Sequence, residues 1–293
     1  MELQQPNKKN VCSRNNKNLS TIQNNSCSAC VCTHMFIYQK DLKNKVECHG
    51  LKAPKIKSLF SEYWKEEWKD LDYPTQYELA ICCLRDPYME SQHIGMLLLE
   101  KTNGHSDDWK LISTDLKAVL TENCATWATC DGISKVLRLL IKRHGKECAS
   151  TIKAWKSEDR HIWVQRASCV SFVCIAKHGD FEYRYIMFFF FIWLKMAKRY
   201  NDVIMEIASE CINNNERFVQ LGVGWVLREL SLVDRNRVVA FIKENYAKFS
   251  REGLRYAIEK MPGNIRKELM DYEKPTKTKS RKRNLKTATA TDV

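Results

Sequence analysis

Residues 131–159 read DGISKVLRLLIKRHGKECASTIKAWKSED and contain two predicted helices, at 131–144 and 147–156. His144-Gly145 separates the two helices, and Ser157-Glu-Asp159 follows the second. Helices of this length joined by short links are typical of antiparallel helix pairs. The stretch therefore favours a fold made of paired helices.

The same alternation of predicted helices and short links continues along most of the chain. Ten Gly and six Pro are few for strands separated by tight turns, which favours an all-helical fold. We predict an all-α protein, a curved superhelix of stacked antiparallel helix pairs with loose HEAT-like repeats. A compact helical bundle is the alternative. The other predicted helices lie at about 55–69, 76–84, 91–101, 107–120, 160–177, 182–199, 202–213, 216–230, 235–248, 251–260 and 264–272.

The chain divides into three parts. Residues 1–34 are polar and of low complexity, and residues 273–293 are basic with almost no apolar side chains, so both are predicted to be disordered tails. Residues 35–272 form the predicted HEAT-like helical domain. Within it Ser157, Asp234 and Ser250 are predicted helix N-caps.

A formal net charge of +13 favours a polyanionic partner. The basic segment Lys279–Arg283 fits either a nuclear-import signal or an arm that grips phosphates. Met1–Asn25 is polar, unlike a signal peptide, and the most apolar run, Ile186–Leu194, is too short to span a bilayer. We expect an intracellular, soluble monomer with no membrane partner.

Thirteen cysteines, most of them inside apolar helical patterns, favour a reducing compartment. Cys27-x-x-Cys30-x-Cys32-x-His34 has zinc-ligand residue types, and Cys48-His49 would complete such a site. A second, well-spaced ligand pair is missing, so we predict neither a metal nor another cofactor.

Three segments pair a tryptophan with a charged side chain at a spacing of three or four residues. On a helix these spacings place both side chains on one face, and a basic protein with such faces suits nucleic acid. The segments are Trp127-Ala-Thr-Cys-Asp131, Trp163-Val-Gln-Arg166 and Gly224-Trp225-Val-Leu-Arg228.

Each segment also has a purely structural interpretation. Asp131 is a candidate N-cap and Trp127 a candidate core residue. Arg166 lies beside an apolar face, where it either reaches a partner or extends to solvent. Gly222 and Gly224 indicate close approach of another backbone, which is either a ligand's or that of a neighbouring helix.

From roughly Tyr38 to Leu269 the chain resembles the AlkD-type DNA alkylation-repair glycosylases, which are HEAT-like repeat proteins. Each matching piece is short, but the pieces occur in the family's order on a helical background. They are Gly50-Leu-Lys-Ala-Pro54, Trp127-Ala-Thr-Cys-Asp131, Trp163-Val-Gln-Arg166-Ala and Gly224-Trp225-Val-Leu-Arg228-Glu229.

The resemblance implies a monofunctional glycosylase that removes positively charged N3- or N7-alkylated purines from double-stranded DNA. It implies that Asp131 is the catalytic carboxylate and that Trp127 and Trp225 pack against the backbone of the lesion. It also implies that Arg166 and Arg228 bind DNA on the concave face. The chain departs from many members after Trp127, where Ala128 replaces a second acid.

Two other functions fit the same pattern. One is a non-catalytic helical-repeat module that binds damaged or branched DNA. The other is a protein-interaction scaffold, for which charge reversal at Arg166 or Arg228 would leave nucleic-acid binding unchanged.

Overall fold

A computed structural model describes residues 47–102, 108–175 and 200–272. Within these ranges the chain forms twelve α-helices and no β-strand, so the predicted all-α class is confirmed. The helices are α1 Ala53–Tyr63, α2 Tyr73–Arg85, α3 Met89–Thr102, α4 Trp109–Glu122, α5 Trp127–His144, α6 Lys146–Ala154, α7 Ile162–Val170, α8 Asn201–Cys211, α9 Arg217–Leu230, α10 Arg235–Glu244, α11 Arg251–Ile258 and α12 Gly263–Met270.

The helices pack in sequence along one direction. Helices α3, α5, α7, α9 and α11 lie side by side, each against the next, and we call them the inner layer. The remaining helices pack on this layer: α2 on α3, α6 on α5, α8 on α9, and α12 on α11. One hydrophobic core runs through the whole array, from Ile56 to Leu269. This is the packing of a helical-repeat superhelix, as predicted, rather than that of a compact bundle.

Helix α5 begins at Trp127, four residues earlier than the sequence pattern predicts. The side chain of Thr126 accepts a hydrogen bond from the Thr129 N–H at 3.0 Å and so caps the helix. Gly145, at φ 67°, ends it in a conformation that favours glycine. Asp131 therefore lies within the second turn, and the N-cap interpretation of this residue is wrong.

Of the three predicted N-caps, one makes the expected side-chain hydrogen bond. Ser250 caps α11 by accepting from the Gly253 N–H at 3.0 Å, as predicted. Asp234 precedes α10 but makes no side-chain capping bond. Ser157 does not cap α7, because it ends a short 3₁₀ turn and His161 precedes that helix instead.

Helix α7 ends at Val170, although the pattern predicts a helix to residue 177. The following turn contains Cys174 at φ 65°, a left-handed conformation that a helix interior does not allow. The turn brings Cys174 Sγ to 4.0 Å from Glu229 Oε2 on α9.

Several predictions concern residues outside the described ranges. These are the possible zinc ligands at 27–34, Tyr38, the apolar run Ile186–Leu194 with its predicted helix at 182–199, and the basic segment Lys279–Arg283. The domain boundaries also stay predictions. In the part of the chain that is described, no helix is long and apolar enough to cross a membrane.

Candidate active site

Asp131 projects from α5 toward α7, where Arg166 holds it by two hydrogen bonds. Arg166 Nε donates to Asp131 Oδ1 at 2.9 Å, and Arg166 Nη2 donates to Asp131 Oδ2 at 3.0 Å. Such a bidentate pair fixes the plane of the carboxylate as well as its position. The side chain of Asp131 remains 16% exposed, so a ligand on the inner layer can reach it.

Arg166 connects three helices of the inner layer. From α7 it holds Asp131 on α5, and its Nη1 donates to the Phe218 carbonyl on α9 at 2.7 Å. Gly222 of α9 packs beside Arg166, and a Cβ there would lie 3.4 Å from Arg166 Cγ, an ordinary van der Waals contact. Arg166 is only 4% exposed. This conformation gives no support to the expected contact between Arg166 and a DNA phosphate, because its guanidinium is directed at protein acceptors.

Burial and pairing act in opposite directions on the acid. Burial raises the pKa of Asp131 above its usual value, while the nearby Arg166 and Arg138 cations oppose the rise. Burial lowers the pKa of Arg166, but the Asp131 carboxylate more than reverses this. The Asp131 carboxylate is thus held in a fixed orientation in a largely buried site.

Trp127 is the first residue of α5 and lies one turn before Asp131 on the same face. Its side chain is 41% exposed, so the interpretation of Trp127 as a core residue is wrong. Trp163, in contrast, is buried against Phe218, with ring centroids 5.2 Å apart. Trp127 therefore offers an indole surface beside the acid, whereas Trp163 contributes to packing.

Trp225 and Arg228 lie on α9 and meet Tyr256 of α11. The Trp225 and Tyr256 ring centroids are 6.3 Å apart, and the Arg228 guanidinium carbon lies 4.5 Å from the Tyr256 centroid. Arg228 also donates to Glu259 and, at 3.2 Å, to Glu229 Oε1. The sequence places Trp225 and Arg228 on one face, but gives no sign of their partners on α11.

Sequence reasoning misses Arg138, which lies seven residues after Asp131 on the same face of α5. Its Nη2 donates to the Val170 carbonyl at the end of α7 at 2.8 Å. Burial lowers the pKa of Arg138, while Cys174, Asp131 and Glu229 oppose that shift. The spacing of seven was the available signal, since i and i+7 positions share a helix face.

Glu229, a buried acid on α9, lies further along the inner layer. It accepts from Lys260 Nζ, in the turn that follows α11, at 2.6 Å and from Arg228. Burial raises the pKa of Glu229, but the Lys260 and Arg228 cations outweigh burial and hold it below its usual value. Asp131 and Glu229 are thus two cation-paired carboxylates of the inner layer, and of these two it is Asp131 that lies one turn from an exposed indole.

A family model described as "DNA alkylation repair enzyme" matches residues 33–261. The chain belongs to this family. The resemblance seen in the sequence is thereby confirmed, and membership supports a role in the repair of alkylated DNA.

A solved structure of a predicted DNA alkylation repair enzyme from Enterococcus faecalis is similar to this chain, with a TM-score of 0.61 and 16% sequence identity. The match covers 78% of this chain and 94% of the other. At this identity the likeness supports the fold. No curated protein matches the chain.

Proposed function

We propose that this protein is a DNA glycosylase that hydrolyses the N-glycosidic bond of positively charged N3- or N7-alkylated purines in double-stranded DNA. One observation carries the proposal: a partly exposed Asp131 carboxylate is fixed by the buried Arg166, one turn from the exposed Trp127. That arrangement suits a reaction in which positive charge develops on a sugar.

An alkylated purine already carries a positive charge and leaves without a strong general acid. As the glycosidic bond breaks, the sugar becomes oxocarbenium-like, and a nearby carboxylate stabilises that charge. Asp131 supplies the carboxylate and orients the attacking water. The purine departs as a neutral base, and the water adds to the sugar carbon while it gives a proton to the Asp131 carboxylate, which then releases the proton to solvent.

Arg166 is a positioning residue in this proposal. Its two hydrogen bonds hold the carboxylate in one orientation, so the acid need not reorganise as charge develops. Its charge also opposes the rise in the pKa of Asp131 that burial causes. Arg166 thereby helps to keep the acid ionised.

Trp127 and Trp225 supply indole surfaces that attract the cationic lesion and pack against its backbone. Arg228 is proposed to contact a phosphate of the bound strand. Its partner Glu259 is 55% exposed in the side chain, so a phosphate can compete for the guanidinium at small cost.

The test is release of free 7-methylguanine and 3-methyladenine from methylated duplex DNA, resolved by chromatography. Asp131→Asn should abolish release and leave DNA affinity equal or higher, because one negative charge facing DNA is removed. Asp70→Asn, at an exposed acid outside the inner-layer helices, is the matched control and should behave as the parent.

Two results would count against the proposal. Base release by the Asp131→Asn variant at the parental rate would remove Asp131 from the chemistry. A parent protein that binds methylated DNA and releases no base would be a non-catalytic damage-binding module instead.

A further inference from the structure

A cavity of about 570 Å³ opens at the edge of the inner layer where α3, α5 and α7 begin. Its volume falls within the range of small-molecule sites. Neither Asp131 nor Arg166 lines it, so it is separate from the proposed catalytic pair. Its wall includes Arg85, Gln92, Asn123, Thr126, Arg160 and Trp163.

The wall of this cavity is hydrogen-bonded to the first turn of α5. Thr126, the N-cap, lies 3.0 Å from Thr129 through their hydroxyl oxygens, and Thr129 Oγ1 donates to Gln92 Oε1 at 2.7 Å. Gln92 Nε2 in turn donates to the Asp86 carbonyl at 3.0 Å. A ligand in the cavity would therefore contact the same framework that orients Trp127.

The cavity lies close to the proposed reaction centre. Asp131 follows Thr126 by five residues and Arg166 follows Trp163 by three, which corresponds to about 7.5 and 4.5 Å along the helix axes. DNA rises about 3.4 Å per nucleotide along one strand. A strand with its lesion at Asp131 thus brings a nucleotide one or two steps away to the mouth of the cavity.

The lining has the chemistry of a nucleotide site. Arg85 and Arg160 are exposed at the rim, and neither forms an ion pair with any residue in the described ranges. Asn123 Oδ1 is buried and has no hydrogen-bond partner among the described residues. Trp163 and Ile162 add apolar surface. A ligand that fits has an anionic end, a hydrogen-bond donor and an apolar, flat body.

Two acidic residues of the lining restrict the kind of ligand that the cavity can bind. Asp86 and Glu122 also border the cavity, and the Asp86 carboxylate accepts from the Tyr88 N–H at 2.9 Å. Carboxylates disfavour a bare anion such as phosphate, but they accept hydrogen bonds from the amino and imino groups of a base. A nucleotide has both a phosphate for the rim arginines and a base with amino or imino groups for these carboxylates.

We propose that this cavity receives one unstacked deoxynucleotide, with its base inside and its phosphate between Arg85 and Arg160. The source is either the DNA strand, one or two nucleotides from the lesion, or a free nucleotide. The DNA source rests on the proposed function, since it takes Asp131 as the position of the lesion.

The experiment uses full-length protein and duplexes with 2-aminopurine one, two or six nucleotides from a 7-methylguanine. Fluorescence of 2-aminopurine rises when the base leaves the stack, and anisotropy of a terminal dye reports binding separately. The parent should raise the fluorescence severalfold at position one or two and leave position six unchanged. Titration calorimetry with deoxyguanosine monophosphate tests the free nucleotide.

Two variants block the site in different ways. Arg160→Glu reverses a rim charge, and Thr121→Trp adds bulk from an exposed position on the lining. Each should reduce the response at least fivefold. Arg235→Glu changes an exposed arginine at the start of α10, which likewise forms no ion pair with the described residues, and should keep the parental response. Thermal unfolding verifies that each variant is folded.

The outcomes separate this inference from the proposed function. A fluorescence rise that both variants reduce supports a DNA nucleotide in the cavity, whether or not base is released in the parallel assay. Binding of deoxyguanosine monophosphate that both variants weaken, with silent 2-aminopurine, assigns the cavity to free nucleotides. The inference would be overturned if a parent that binds DNA shows neither the fluorescence rise nor binding of deoxyguanosine monophosphate. It would also be overturned if the two variants leave these responses intact. Both conclusions hold even if base release is observed.

Discussion

The two oxygens of Asp131 each accept a hydrogen bond from Arg166, so the planar guanidinium fork sets the direction of the carboxylate. Lysine keeps the charge but cannot make this bidentate contact. We expect Arg166→Lys to slow single-turnover base release on the order of 10²-fold, the usual effect of misplacing a catalytic group by about 1 Å. DNA affinity should change much less.

A matched pair elsewhere in the chain provides the control. Arg217 donates to both oxygens of Glu252 at 2.8 and 2.9 Å, with the same geometry but on an exposed surface. Arg217→Lys should therefore leave base release unchanged. Equal losses in the two lysine variants would show that the Arg166 effect is not specific to the site.

The pH dependence of base release follows from the ionisation of Asp131. Burial raises the pKa of this acid, and only its ionised form stabilises a sugar cation. The rate should therefore fall as pH decreases through a pKa above the usual 3.8. Arg166→Met removes a cation that lowers the pKa of Asp131. The acid limb of the pH–rate profile, where the rate falls with decreasing pH, should therefore move to higher pH.

Single-turnover rates across pH, corrected for uncatalysed base loss, measure this limb. A limb at or below pH 3.8 in the parent, or an unshifted limb in Arg166→Met, would contradict the assignment of the limb to Asp131.

At the residue scale, the sequence predicts one part of the candidate active site, which is the shared face of Trp127 and Asp131. Trp127 and Asp131 share a face because their spacing of four residues is local to one helix. The pairing of Asp131 with Arg166 joins residues 35 apart, and it depends on how α7 is rotated against α5. Local periodicity does not specify that rotation, so the sequence does not predict the contact between Arg166 and Asp131.

At the scale of elements, α9 and α11 pack closely at two glycines, Gly224 and Gly253. A Cβ at Gly224 would lie 2.7 Å from the Gly253 carbonyl oxygen. This is a backbone atom, so it cannot move away by a side-chain rotation. Alanine gains about 1 kcal/mol in helix propensity over glycine, but overpacking costs about 1–3 kcal/mol. We expect Gly224→Ala to lower the free energy of unfolding, measured by chemical denaturation.

Gly263 is the control for this substitution, because a Cβ there meets nothing within 4 Å. Gly263→Ala should be neutral or stabilising. Gly224→Ala with parental stability would mean that α9 and α11 are not held at this distance in solution. The close contact is the helix-packing alternative left open by the sequence, and it accounts for Gly224 without a ligand.

The helices themselves are largely readable from the sequence, but their ends are not. Apolar periodicity locates the helices because core-facing residues recur every 3.6 positions. The start of α5 moves to Trp127 because the cap is Thr126, which the pattern of apolar residues does not mark. The end of α7 at Val170 is missed because neither glycine nor proline follows it.

At the scale of the molecule, ion pairs tie the inner layer together from one helix to the next. Arg166 and Asp131 join α7 to α5, whereas Lys260 and Glu229 join the turn after α11 to α9. These pairs neutralise each other, so the excess of positive charge that attracts DNA resides in other side chains. The last 21 residues carry seven Lys or Arg and two acids, so removing them lowers the formal net charge from +13 to +8.

Most of the excess charge therefore belongs to residues 1–272, and this distribution predicts how a truncated protein binds DNA. Phosphate contacts release counterions, so log affinity falls linearly with log salt concentration in proportion to the contacts made. A chain ending at residue 272 should still bind duplex DNA at low salt, with a shallower slope than the full chain if the tail grips phosphates. Its single-turnover base release at saturating DNA should equal that of the full chain, because Asp131, Arg166 and Trp127 are all retained. Anisotropy titrations at several salt concentrations measure both slopes, and loss of all binding at low salt would place the DNA-binding surface in the tail rather than on the helices.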